Sequence, residues 1–163
     1  MLARNDPSMI LTLPSDREIV LTRVFNASRR LVFEAWTNPE HVKQWYGCSI
    51  MTLPVCEIDL RVGGAYRYVM RDPAGATHTM QGVYRAIARP GRLVYTEQYV
   101  TQGFTSSEAL VTVLFAEHSG MTTLTSAILH RSREDRDAHL STGMEKGAAE
   151  VLGRLADHIA AMA

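Results

Sequence analysis

Much that would point to a familiar activity is missing from this sequence, and each gap excludes something. Only two cysteines occur in 163 residues, Cys48 and Cys56. They form neither a metal-ligand spacing nor a disulfide framework, which fits a reducing compartment, with a pairing of the two left open. The six histidines are scattered, without an HExxH or a close pair, so no metal and no cofactor are expected. No run approaches the roughly 20 apolar residues of a membrane span. The opening MLARNDPSMILTLPS has a short apolar patch interrupted by Asn, Asp and two prolines, which does not read as a signal peptide. Lys plus Arg equals Asp plus Glu at 17 each, so no basic surplus draws the chain to nucleic acid or an anionic membrane. The expectation is a cytoplasmic protein, monomer or homodimer, with neither of those partners.

What is present suits one domain with a sizeable core: 46% of residues are hydrophobic and 21% charged, with no internal repeat. Residues 1–15 read as a loose N-terminal arm and 16–163 as a single domain. Glu18–Phe25, EIVLTRVF, gives a first strand. Asn26-Ala27-Ser28 then starts a helix with Leu31, Val32, Ala35 and Trp36 on one face, and Asn38-Pro39 ends it. PEHVKQWYG forms a second short helix, with Pro39 in its first turn and Gly47 at its end.

From Met51 to His130 the pattern is one of strands: 55–62, 65–71, 77–87, 92–99, 107–115 and 121–129. The turn-like separators DPAG, RPG, TQG and EHSG predict an antiparallel meander. Ser132 to Asp135 resembles a capping box. Leu140, Met144, Ala148, Val151, Leu155, Ile159 and Met162 follow at helical spacing, predicting one continuous helix from about Ser132. That helix packs across the concave side of the sheet, and the class is α+β.

DLRVGGAYRYVMRD, Asp59–Asp72, carries two glycines inside what reads as strand. Glycine weakens a strand interior, so the pair suggests a bend or bulge. Beyond it Tyr66, Tyr68 and Met70 alternate with Arg67 and Arg71, giving an apolar row on one face.

These features together resemble a known family. Trp36 with Asn38-Pro39-Glu40, Trp45, Asp59, Arg61 and Gly63-Gly64 come first. YRYVMRDPAG, GVYRAI, RPGRLVYTE and TGMEKGAAEVLGRLADHIA follow in order. From Glu18 to Ala161 the chain resembles the helix-grip superfamily of START and Bet v 1-like domains (SRPBCC), in the branch of homologues of the activator of heat-shock protein ATPase. The resemblance implies about seven antiparallel strands gripping the C-terminal helix, two short helices between strands 1 and 2, and a cavity between sheet and helix. Gly63-Gly64 would let the sheet fold over the helix. The branch often has Gly-Trp where this chain has Gly147-Ala148. The missing indole implies a larger pocket unless Met144, Leu152 or the N-terminal arm fills it.

The candidate wall comprises Trp45, Tyr66, Tyr68, Met70, Met80, Tyr84 and Tyr95, with Met144, Ala148 and Leu152 from the helix. Tyrosine combines an apolar body with a polar tip, which suits a binding wall. Phe104, in TQGFTSS, is expected to close over the mouth, and Trp36 to belong to the core. Glu97 shares strand parity with Leu93 and Tyr95. It is either a buried acid that orients a ligand or transfers a proton, or a strand-end residue reaching water or an arginine. No catalytic residue is assigned, Glu97 being the one candidate. Cys48 reads as a loop thiol, with activation by His41 as the alternative, and Cys56 as a small core residue. Asp59 and Arg61 read as a structural charge pair, and His130 and His139 as surface residues.

The leading expectation is a protein that encloses a small hydrophobic or aromatic ligand. The alternatives are an enzyme of the same fold, of hydrolase or cyclase type and using Glu97, and a co-chaperone-like interaction module. The last ranks lowest because the chain lacks the additional domain of the eukaryotic activators.

Overall fold

The computed structural model describes residues 8–162. In chain order the elements are β1 (Met9–Thr12), β2 (Glu18–Phe25), α1 (Arg29–Thr37), α2 (Pro39–Trp45), β3 (Thr52–Ile58), β4 (Ala65–Arg71) and β5 (Thr77–Ala88). They continue with β6 (Arg92–Thr101), β7 (Phe104–Thr105), β8 (Ala109–His118), β9 (Met121–Leu129), α3 (Arg133–Ser141) and α4 (Met144–Met162). All the strand pairs are antiparallel, in the order β1-β2-β9-β8-β6-β5-β4-β3, with β7 appended to β6.

Alternation decides which face is inside. On β8, Ala109, Val111, Val113 and Phe115 are buried while Leu110 and Leu114 face out. On β9, Thr122, Leu124, Ser126 and Ile128 are inside, and on β2 Ile19, Leu21 and Phe25. Leu152, Leu155 and Ile159 of α4 complete the core against this concave face. The two short helices begin as expected. The Ser28 hydroxyl accepts from Leu31 N–H, and the Asn38 side chain accepts from Glu40 N–H ahead of Pro39.

Three expectations need correction. Among the described residues the sheet has nine strands rather than seven. The two additions are the two-residue β7, which was read as loop, and β1, which lies inside the supposed loose arm. Met9–Thr12 pairs with β2 from Met9 opposite Arg23 to Thr12 opposite Val20, because β2 would otherwise be an open edge. The rest of the arm, residues 1–7, lies outside the described residues.

The C-terminal helix is broken. Ser132 caps α3 by accepting from Asp135 N–H, but α3 stops at Ser141. Gly143 adopts φ +82°, a left-handed conformation that ends a helix, and Gly143 N–H returns to Leu140 O. The stripe of apolar residues carries on across this joint because Leu140 of α3 and Met144, Ala148 and Val151 of α4 all pack against the core.

The paired glycines do not interrupt a strand. β3 ends at Ile58, so they lie in the turn to β4, and they are needed for different reasons. Gly63 has φ +85°, whereas a Cβ on Gly64 would sit 2.1 Å from Asp59 O. Gly63 N–H donates to Tyr84 O, and Tyr84 N–H donates to Gly64 O, so the turn is stitched to β5. Arg61 and Asp59 form the expected exposed ion pair at 2.8 Å.

Candidate ligand cavity

A cavity of about 370 Å³ lies between the sheet and the C-terminal helices. β4 contributes Tyr66, Tyr68 and Met70, β5 contributes Met80 and Tyr84, and β6 contributes Tyr95 and Glu97. Trp45 closes it from α2, and Met144, Ala148, Val151 and Leu152 from α4. Eleven of the twelve residues proposed from sequence therefore meet at one place. Period-2 alternation put the strand residues on one face, and helical spacing put the α4 residues opposite them.

Phe104 is the exception and is corrected. It is 57% exposed and absent from the wall, because its pairing with Thr101 in the β6–β7 hairpin holds it beside Tyr99. Trp36 packs against the core as expected. It is half-buried and lines the cavity, its ring 5.4 Å from Trp45 and 6.2 Å from Phe115. The wall also includes Leu21, Tyr46, Gly47, Cys48, Met51, Ser126, Ile128, His139 and Gly147. For Leu21 and Ile128 the sequence carried a signal, since both alternate with outward residues on strands facing the helix. Ser126 shares the strand parity of Ile128, whereas for His139 the sequence carried no signal.

The rim is built from the α2–β3 loop and α4. Ser49 N–H donates to Glu150 at 2.8 Å, and Arg154 donates to Gly47 O at 2.5 Å. Gly147, an exposed residue of the wall, marks where the cavity reaches the surface. A Cβ at Gly147 would meet nothing within 4 Å, and Ala148 beside it carries only a methyl group. No residue of β1 belongs to the cavity wall, which Met144, Ala148 and Leu152 share on the helix side. Cys48 and Cys56 are both free thiols. Burial pushes the Cys56 thiol up to about 11, the opposite of activation.

Five tyrosines form a continuous aromatic wall. Tyr66 stands 5.2 Å from Tyr68, 5.7 Å from Tyr84 and 5.3 Å from Tyr95, and Tyr46 stands 4.6 Å from Tyr68. Tyr66 donates its hydroxyl proton to Thr96 O at 2.7 Å, and Trp45 donates its indole N–H to Ala35 O at 2.9 Å. Burial raises the pKa of all five tyrosines, so they remain neutral.

Glu97 is different. Desolvation pushes its carboxyl up to about 7, and neither hydrogen bond nor ion pair offsets that shift. Its charge adds to the burial that raises Tyr46, Tyr66 and Tyr95, which places it among those hydroxyls. Glu97 is half-buried and lines the cavity, with no arginine paired to it among the described residues.

The two histidines read as surface residues are also corrected. His130 is only 7% exposed and contacts His139. Among the described residues no group of three or more His, Cys, Asp or Glu is placed to hold a metal ion.

A curved antiparallel sheet gripping a C-terminal helix over a lined cavity defines a helix-grip protein. The family model described as Activator of Hsp90 ATPase homolog 1-like protein matches residues 26–160, and the chain belongs to that family. Its structure is similar to that of a Rhodobacter sphaeroides protein, with 26% identity, TM-score 0.88, and coverage of 94% of this chain and 99% of that one. A Chromobacterium violaceum protein has 25% identity and TM-score 0.77, covering 89% and 98%. The AHSA1 protein of Silicibacter pomeroyi, at 20% identity and TM-score 0.75 over 90% and 99%, shares the fold. No curated protein matches the sequence. Among the described residues no helix is long and apolar enough to cross a membrane.

Proposed function

We propose that the chain binds a small apolar or aromatic molecule in the cavity between sheet and helix. The observation that carries this reading is the cavity itself, about 370 Å³ and walled by tyrosine, tryptophan and methionine. That volume is within the range of small-molecule sites, whose walls are largely apolar with few polar groups. A cytoplasmic setting accords with the two free thiols. The test is native mass spectrometry of the freshly purified protein, which reports subunit count and any retained small molecule, followed by titration with a fluorescent apolar probe. One saturable site displaced by small aromatics is the expected result. Probe uptake only as the protein loses structure would count against the reading.

One observation favours a second reading. A carboxyl with a pKa near 7 and no protein partner is poised for general acid–base work on a bound molecule, as in an enzyme of hydrolase or cyclase type. Turnover that Glu97→Gln abolishes without changing affinity would establish it. The interaction-module reading has a surface of its own, since Ile10, Val24, Leu110 and Leu114 are exposed on the outer face of β1, β2 and β8, away from the cavity.

A further inference from the structure

The sheet register sets a second polar group across the cavity floor from Glu97. Glu97 is the Cα partner of Ala109 on β8. Leu110 is partnered by Leu129 on β9, so the row through Ala109 continues to His130, whose N–H donates to Arg17 O at 2.8 Å. Residues in one such row project from the same face. Glu97 and His130 thus stand on the concave face two strand spacings apart, about 10 Å. Ala109, which stands between them in the row, carries only a methyl group. From α3, His139 reaches down to this point. Its Nδ1 is 3.0 Å from His130 Nε2, and its side chain is part of the cavity wall.

The proton positions follow from these contacts. His130 Nδ1 lies 3.3 Å from Arg17 O, a carbonyl that only accepts, so Nδ1 carries the hydrogen. Desolvation lowers the pKa of both imidazoles, to about 4 for His139, and both are neutral at pH 7. A neutral ring holds one hydrogen, so His130 Nε2 accepts from His139 Nδ1–H. That leaves His139 Nε2 as a bare lone pair, and it has no hydrogen-bond partner among the described residues.

We propose that His139 Nε2 is a fixed hydrogen-bond acceptor of the cavity, locked in that tautomer by His130, and that it selects ligands bearing a hydroxyl or N–H donor. The inference rests on the reading of this cavity as a ligand site. His139 touches the ligand, whereas His130 is a positioning residue. The acceptor also explains the chemistry at either end of the floor: His139 presents a fixed lone pair, and Glu97 a carboxyl that loses its proton near neutrality.

Two measurements on the full chain test this. Long-range proton–nitrogen NMR at pH 7 should show His139 with Nδ1 protonated and Nε2 unprotonated. In His130→Phe, where the accepting nitrogen is gone, that tautomer preference should be lost. The opposite tautomer of His139 in the unmutated protein overturns the proposal. The second measurement compares 1-naphthol, which donates a hydrogen bond, with 1-methylnaphthalene, which does not. The naphthol-to-methylnaphthalene affinity ratio should fall by roughly fivefold to tenfold in His139→Leu, the equivalent of one hydrogen bond. An unchanged ratio refutes the role of His139 and leaves the cavity reading standing. Failure of both probes to bind the unmutated protein removes the cavity reading, and this inference with it.

Discussion

Replacing Glu97 with glutamine should make the protein more stable at alkaline pH. The carboxyl titrates at about 7 in the folded chain, against an ordinary value of 4.5. Between those values the folded state holds a proton that the unfolded state has released, so stability falls as pH rises through this window. The full effect is about 3 kcal/mol, at about 1.4 kcal/mol for each pH unit separating the two values. It is absent well below 4.5 and complete above 7. At pH 5 only about 1 kcal/mol has developed, and at pH 8.5 essentially all of it. Urea unfolding of both proteins at those two pH values isolates the group, because other titrations occur in both. The stability gap between Glu97→Gln and the unmutated chain should widen by about 2–3 kcal/mol from pH 5 to pH 8.5. Water entering the cavity would shrink that figure without changing its sign. A gap that stays constant within about half a kcal/mol, or one that widens toward acid, would show that Glu97 is not desolvated and that the cavity floor has been misread.

Other perturbations test the scaffold and the cavity volume. Leu155→Ala should cost about 2–5 kcal/mol in chemical denaturation, since the side chain is 0% exposed between α4 and the sheet. A loss below about half a kcal/mol would remove Leu155 from the core. At the β3–β4 turn, Gly63→Ala should cost about 1–2 kcal/mol for its positive φ. Gly64→Ala should cost more, because its Cβ would strike Asp59 O; equal losses would contradict the two separate roles. Ala148→Trp places an indole in the cavity and should weaken apolar-probe binding by about tenfold or more, about 1.4 kcal/mol, as read by fluorescence titration. Unaltered probe affinity would put the binding site elsewhere.

The sequence by itself determined the elements and their inward faces. Alternation on β4, β8 and β9 and helical spacing on α4 are local patterns, and each needs only its own segment to be read. Eleven wall residues followed from those patterns once sheet and helix were set face to face. Helix starts at Ser28, Asn38 and Ser132 were legible for the same reason, because a cap is a contact over three residues or fewer. Edges and breaks were less so. β1 and β7 are too short to show a period, and Gly143 reads as a stop only if the apolar stripe around it is disregarded. What tertiary structure alone decided is the polar chemistry of the cavity. Phe104 lies outside the wall and Trp36 reaches it from the core because hairpin pairing and ring packing, not spacing, fix where a side chain ends. His130 and His139 meet across the joint of β9 and α3, and Glu97 joins their row through two strand pairings. Its pKa near 7 is a property of the space around it, since desolvation depends on which atoms surround a charge and not on its neighbours in the chain.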